Sequence, residues 1–344
     1  MSTAGGGSFL SVGELQPMFV ANELLDKRDE LQARLQADGY LLFRGIIPAP
    51  VITDIREQIT QILAEIGWIE GGVNRMVAKA IGVPQREGDP GYFVALDRIL
   101  KLEALHSLAH EGGLMAVMQG VLGTTAFPHP LSTCRLVFPN NPEITTPPHQ
   151  DYPNNQGTEQ LIAAWIPLGD CPREMGSLAI LKGSHKLGLL PLQFHVGAGN
   201  RRAVLPNEAS KLEWVAHDFR AGDVLLFLSL TVHSALANEH SQNMRLSVDF
   251  RYQLEGEALT KNCLNTHFNR FSWSEIYAGW QSKKYQYYWK DKDYEVVTWD
   301  ESLHALPEGH MKEALSQVLA YEKTRRLQHG IVAAAKQARN PRVD

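Results

Sequence analysis

The chemistry this chain could perform is concentrated in a few side chains. His149-Gln150-Asp151 places an imidazole and a carboxylate two residues apart. On an extended strand, residues i and i+2 point to the same face, so both groups could grip one ion while Gln150 points away. Two neutral imidazoles and one carboxylate on one face of an octahedron leave three positions open, the donor set of non-haem iron(II) oxygenases. The triplet alone is weak, because a solvated turn accounts for it equally well. A second imidazole must come from elsewhere in the chain. His233 follows Gly222-Asp-Val-Leu-Leu-Phe-Leu-Ser-Leu-Thr-Val, an apolar strand, a turn and the start of another strand. An imidazole buried there needs a partner, either a metal or a backbone carbonyl.

Twelve residues beyond His233, Arg245-Leu-Ser247 opens a further strand. By the same alternation Arg245 and Ser247 share a face. The guanidinium could clamp a carboxylate through two parallel bonds, with the serine hydroxyl adding a third. A surface salt bridge is the competing use of Arg245, weakened by its apolar neighbours. His185, in Gly183-Ser-His185, reads as a turn histidine that bonds locally. His217, His240 and His267 have no carboxylate or arginine at useful spacing and take structural or exposed roles.

These residues need elements to position them. Apolar spacing predicts helices over Glu23–Asp38, Ala49–Ile66, Leu96–Ala109 and Leu114–Leu122, and a last helix over Gly309–Lys336. A short buried strand is expected at Tyr40–Phe43. From Leu131 the pattern changes to short strands: Thr133–Phe138, Gln160–Pro167, Leu178–Leu181, Val224–Leu228, Thr231–Ala235 and Arg245–Tyr252. Gly, Pro and Asn clusters separate them, which points to a β-barrel or double-sheet jelly roll and not a parallel α/β sheet. One domain is expected over 1–344. It comprises a disordered tail (1–10), a helical N-terminal part (15–125), a jelly-roll core (131–255) and an aromatic-rich, helical extension (256–340). The 344 residues are 44% hydrophobic, enough for a full core.

The net charge of −5 gives no reason to expect nucleic acid. Neither a membrane-length apolar run nor a signal-peptide pattern is present, so a cytoplasmic location is expected. The three cysteines, Cys134, Cys171 and Cys263, are odd in number and scattered, and read as free thiols.

Taken in order, the motifs resemble those of the phytanoyl-CoA dioxygenase family of iron(II), 2-oxoglutarate oxygenases, over nearly the whole β region. Asp38-Gly-Tyr-Leu-Leu-Phe-Arg-Gly45 is similar to its first helix-strand unit, and His149-Gln-Asp151 to its HxD. Gly176-Ser-Leu-Ala-Ile-Leu-Lys-Gly-Ser-His185 looks like its Gly-Ser-His loop. Gly222-Asp-Val-Leu-Leu-Phe, His233 and Arg245 look like its distal strand, distal ligand and cosubstrate arginine. The resemblance implies a mainly β, cupin-like double-stranded β-helix (jelly roll) with flanking helices. It implies iron(II) held by His149, Asp151 and His233, 2-oxoglutarate as cosubstrate with its distal carboxylate on Arg245, and dioxygen as oxidant. Trp165, in Ala-Ala-Trp-Ile-Pro, matches a tryptophan that lines the cosubstrate pocket, although core packing accounts for it equally well. Met175, where an Asn commonly precedes the loop glycine, departs from the pattern, as do an insertion over Leu187–Val215 and the aromatic C-terminal extension.

The implied reaction is oxidation, by default hydroxylation, of a small-molecule substrate, secondary metabolites included, with release of succinate and carbon dioxide. Asp151 fills the position a halide would need, which argues against halogenation. Two other classes compete: a cupin-type metal-dependent isomerase or hydrolase, and a non-catalytic small-molecule-binding jelly roll. Metal analysis and a succinate assay separate them. Arg201-Arg202 in the insertion could meet an anionic substrate or be a solvated pair. The aromatic stretch from Thr266 to Trp299 could wall an apolar pocket or pack extra helices.

Overall fold

In the computed structural model, which describes residues 15–142 and 145–339, a short strand Gln16–Pro17 (β1) is followed by helix Arg28–Asp38 (α1). The tail expected over 1–10 lies outside the described residues. Gly39, at φ 80°, ends α1 in the left-handed conformation that glycine adopts without a Cβ penalty. Strand Tyr40–Phe43 (β2) is buried along its whole length. In helix Ala49–Glu65 (α2), Ile52, Ile55, Ile59 and Ile62 form the inward face.

The single helix expected over Leu96–Ala109 is instead divided. Pro90–Ile99 (α3) stops, Glu103–Ser107 (α4) begins after an extended Leu102, and Leu108–His110 is a 3-10 turn. The physical reason lies in which side chains are buried. Leu96, Ile99 and Leu100 would lie on one side of a continuous helix, and Leu105, Leu108 and Ala109 on the other. All six are in the core, and the break lets both sets face inward. Helix Gly112–Val121 (α5) follows.

The remaining strands are Ala126–Pro128 (β3), Thr133–Val137 (β4), Ile162–Pro167 (β5), Leu178–Leu181 (β6), Leu192–Phe194 (β7), Arg201–Ala203 (β8), Trp214–Ala216 (β9), Val224–Leu228 (β10), His233–Ala235 (β11), Arg245–Leu254 (β12), Ala258–Thr260 (β13) and Glu295–Val297 (β14). Two more helices, Trp273–Tyr277 (α6) and His310–Arg339 (α7), complete the described chain. The larger sheet runs β2-β10-β5-β12-β3, with β4 also on β12; the smaller runs β1-β9-β6-β11. This is the mainly β jelly roll, flanked by helices, that the motif order implies.

Two findings revise the expected layout. Strands β1 and β2, from the N-terminal part, are built into the two sheets. The segment read as an insertion over Leu187–Val215 carries the β7–β8 hairpin and then supplies β9, which pairs with β6.

β12 shows why the sheet has two different faces. Leu246, Val248, Phe250 and Tyr252 join the core that packs the sheet against the helices. Arg245, Ser247, Asp249 and Arg251 alternate with them and turn inward, toward the smaller sheet. Their neighbours in register include Arg135 and Thr133 on β4 and Trp165 on β5. One end of the interior is apolar, with Tyr40, Leu42, Trp165, Leu225 and Phe227 packed against Ile180, Val215 and Phe219. The other end is charged.

Candidate active site

His149 and His233 are neighbours because their backbones form an antiparallel bridge. The N–H of His149 donates to the His233 carbonyl at 2.9 Å, and the N–H of His233 donates back at 3.0 Å. This sets the two ring centroids 4.1 Å apart. Asp151 is not on an extended strand, contrary to the expectation. Its backbone is α-helical (φ −76°, ψ −28°) and it leads into a 3-10 turn over Tyr152–Asn154. The turn begins early because both the backbone N–H and the side-chain amide of Asn155 bond back to the Asp151 carbonyl, at 3.1 and 3.2 Å. The carboxylate still reaches the imidazoles. Gln150 points away: its amide donates to the carbonyls of Gly188 and Leu230 and accepts from the N–H of Leu190.

Asp151 Oδ1 lies 3.9 Å from Nε2 of His149 and 3.9 Å from Nε2 of His233. The three donor atoms fall within 4.8 Å of one another, so one ion can reach them all. Each ring is oriented through its other nitrogen, Nδ1 of His149 on the Pro147 carbonyl at 2.8 Å and Nδ1 of His233 on the Thr231 carbonyl at 3.0 Å. A proton on Nδ1 leaves the Nε2 lone pair free for a metal. Burial, reinforced by His233, pushes His149 down to about 3. Burial also lowers His233, with Asp151 opposing the shift. Both rings are therefore neutral at pH 7, the form that ligates. Burial alone would raise the carboxyl of Asp151, but Arg251 and the two imidazoles hold it well below its usual range.

Of the remaining sequence candidates, Arg245 is the one that lines a second, smaller cavity; Ser247 and Trp165 are not among its lining residues. Arg245 donates to the Gly176 carbonyl at 2.9 Å, while its Nε has no partner. It is buried, and no carboxylate pairs with it among the described residues. An uncompensated buried guanidinium is costly, so an anionic ligand is the physical complement of this position. The hydroxyl of Ser247 and the indole N–H of Trp165 are also buried without partners. The Trp165 ring lies 5.9 Å from the Arg245 guanidinium carbon and packs edge-on against Phe219, 4.9 Å between centroids. Three unmatched donor groups in one region fit a carboxylate-bearing cosubstrate.

The interior also holds charged residues that the sequence reading passed over. Arg251 donates to Asp151 Oδ2 through Nε at 3.2 Å and Nη2 at 2.9 Å. Arg135 donates to Asp249 at 3.0 Å and pairs with Glu87. The available signal was the alternation itself, since Asp249 and Arg251 continue the series begun by Arg245 and Ser247. Arg135 and Glu87 carry no such signal, because their partners lie on distant elements.

A cleft of about 230 Å³ opens over the His149–Asp151 side, lined by Arg135, Arg201, Arg251, His267, Phe268 and His304 among others. It shares Glu87, Arg135 and Thr146 with the smaller cavity at Arg245. His267, read from the sequence as structural or exposed, lines this cleft half-buried, with Nε2 3.8 Å from Glu87. His185 bonds the Gln36 carbonyl at 3.0 Å, the local turn role expected of it. His217 meets Arg44, and His240 accepts from nearby backbone. The stretch after Thr266 chiefly packs helices, with Tyr277, Tyr287, Tyr288 and Trp289 against the outer core; Phe268 alone of its aromatics reaches the cleft. The three cysteines are free and buried.

Comparison with known proteins adds three findings. A family model described as phytanoyl-CoA dioxygenase (PhyH) matches residues 35–247, well over half the chain. The chain is 28% identical over 244 residues to a 1-deoxypentalenic acid 11-beta-hydroxylase of Streptomyces arenae, spanning 67% of this chain and 82% of that protein. It is 25% identical to the protein of the same name from Streptomyces exfoliatus, with the same shares covered. Among solved structures, the epimerase SnoN in complex with Fe3+, alpha ketoglutarate and nogalamycin RO superposes with a TM-score of 0.50 at 22% identity, covering 69% of this chain and 87% of SnoN. That last likeness is one of fold.

Proposed function

Because the chain belongs to the phytanoyl-CoA dioxygenase family, we propose that it is an iron(II)- and 2-oxoglutarate-dependent oxygenase, acting as one domain, that hydroxylates a small organic metabolite and releases succinate and carbon dioxide. The observation that carries this reading is a three-residue metal-ligating set and a buried guanidinium lining two cavities that share Glu87, Arg135 and Thr146. His149, Asp151 and His233 present three ligand atoms to one point, and Arg245 is a buried cation that forms no salt bridge among the described residues. Hydroxylation is chosen as the outcome because the relatives matched over most of their length are named as hydroxylases.

When bound, iron(II) with 2-oxoglutarate supplies dioxygen chemistry that can attack an unactivated C–H bond. The rest of the task falls to the chain. The two neutral imidazoles and Oδ1 of Asp151 would hold the metal. Arg251 keeps Oδ2 of Asp151 occupied, so that this oxygen does not compete for the ion. Arg245 would receive the distal carboxylate of 2-oxoglutarate, with the Trp165 ring beside its guanidinium. Arg135, bound to Glu87 and Asp249, forms the wall between cosubstrate and substrate compartments.

The test is slow, substrate-free succinate formation by protein loaded with iron(II), 2-oxoglutarate and air. Asp151→Ala should abolish it while thermal unfolding shows an intact fold. Arg245→Ala should raise the apparent requirement for 2-oxoglutarate by about 10- to 100-fold, as expected for losing a charge-assisted pair, with metal affinity retained. Undiminished turnover by Asp151→Ala would remove the ligand assignment, and an unchanged 2-oxoglutarate requirement would remove the role of Arg245.

A further inference from the structure

We infer that the substrate carries a carboxylate on an apolar body, and that Arg201 receives it. This rests on the oxygenase reading above for the identity of the cleft as the substrate site. The inference starts from the hairpin β7–β8, which opens on two consecutive arginines. Alternation sends their side chains to opposite faces. Arg202 turns to its register neighbour Gln193, whose side-chain amide accepts from the guanidinium once its oxygen is turned toward it. Arg201 turns to the cleft that contains His149 and Asp151.

There it is the unsatisfied cation. Among the described residues its one hydrogen bond runs from Nη1 to the adjacent Asn200 carbonyl at 3.1 Å, and Nε is buried without a partner. Burial lowers its pKa, with no carboxylate acting in the other direction. The other cleft arginines are matched: Arg251 by Asp151, and Arg135 by Glu87 and Asp249. Charge balance points the same way. Along the two cavities and their ion pairs, Arg135, Arg201, Arg245 and Arg251 face Glu87, Asp151 and Asp249. A divalent ion and a dianionic cosubstrate would cancel one another, so among the described residues one positive charge is left over. A monoanion matches it, and a guanidinium fork fits a carboxylate.

The apolar body is read from the rest of the lining. Leu131, Leu192 and Phe268 face the cleft. Phe268 is 45% exposed and held at φ 58°, a conformation that is strained for an aromatic residue. Phe93 braces it edge-on at 5.3 Å and His267 stacks on it at 4.2 Å. Backbone strain that keeps a large ring at a cleft mouth is accounted for if the ring contacts an apolar ligand there.

Calorimetry on protein loaded with iron(II) and 2-oxoglutarate under anaerobic conditions tests this. Dodecanoic, farnesoic and abietic acids are each compared with their methyl esters. At least one acid should bind about 10-fold or more tightly than its ester, the loss expected when a charged hydrogen-bonded pair is removed. Arg201→Gln should erase that preference, Arg201→Lys should keep part of it, and Arg202→Gln should leave it intact. Equal binding of acids and esters, no acid binding at all, or a preference that survives Arg201→Gln would overturn the assignment. Substrate-free succinate formation by the same wild-type protein reports separately on the oxygenase reading. If it is present and the acids fail, only the role of Arg201 falls; if it is absent, the oxygenase reading falls whatever the acids do.

Discussion

At the scale of single residues, the two oxygens of Asp151 have different surroundings. Oδ1 faces both imidazoles, whereas Oδ2 accepts two hydrogen bonds from one guanidinium. A carboxylate held this way cannot rotate to offer either oxygen at will, so Arg251 is a positioning residue for the ligand set. Residues that orient metal ligands typically contribute about 10- to 100-fold in metal affinity. Arg251→Ala is therefore expected to weaken iron(II) binding by that order, measured by competition against a chelator. Arg251→Lys should recover only part of the loss, because a flexible ammonium cannot hold Oδ2 through the two N–H groups of a rigid guanidinium. A purely structural role would lower stability without this difference in metal affinity. Unaltered iron binding by the folded Ala variant would exclude the positioning role.

At the scale of elements, the end of α1 is fastened to the turn between β10 and β11, the turn that delivers His233. The Gly39 carbonyl accepts from the N–H of Leu228 at 3.1 Å and from the Thr231 hydroxyl at 2.8 Å. Thr231 in turn offers its own carbonyl to Nδ1 of His233. A Cβ on Gly39 would lie 2.5 Å from His185 Nδ1 and 2.7 Å from Thr231 Oγ1, with φ at +80°. Gly39→Ala should therefore cost about 1–3 kcal/mol in denaturant unfolding. It should weaken metal binding as well, because it displaces the residue that orients His233. A variant with unchanged stability would show that this junction yields freely. Gly183, one residue before Ser184 and two before His185, also has positive φ, so this side of the junction too depends on a glycine.

At the scale of the whole molecule, the C-terminal aromatic segment closes over the helical layer and buries two histidines there. His110 stacks on Tyr285 at 4.1 Å between centroids and meets Tyr288 edge-on. His106 lies against Trp273 and Trp280. Burial pushes His106 down to about 4, and burial with nearby Lys284 pushes His110 down to about 3. In the unfolded chain both titrate near the ordinary value of about 6.5. Above that pH both states are neutral and stability is unaffected. As pH falls from about 6.5 toward 4, the unfolded chain takes up protons that the folded chain does not, and stability is lost. The melting temperature should be level above pH 7 and fall steeply across that window. His110→Phe, which keeps the stacking and removes one proton site, should make the fall shallower. An equal slope in the variant would show that His110 does not contribute.

Much of the fold and of the candidate site was legible in the sequence because it is encoded locally. The apolar run Val224–Leu228, alternation along Arg245–Tyr252, turn residues between short strands, and the order of HxD, distal His and Arg imply a jelly roll with a metal site and a carboxylate clamp. The six expected β-core strands occur with bounds shifted by at most a few residues, and His149, Asp151 and His233 do come together. Only the tertiary structure decided which side chains face one another across elements. The turned backbone at Asp151, the Arg251 bond to Oδ2, the Arg135–Glu87 pair and the place of His267 at the cleft all depend on register and on contacts between distant segments. The same holds for Arg201 and Arg202. They are adjacent and chemically identical in the sequence, yet one is paired within its hairpin and the other is left unmatched in the cleft. Periodicity states which residues share a face of a strand. What that face meets is set by how the sheets and loops pack.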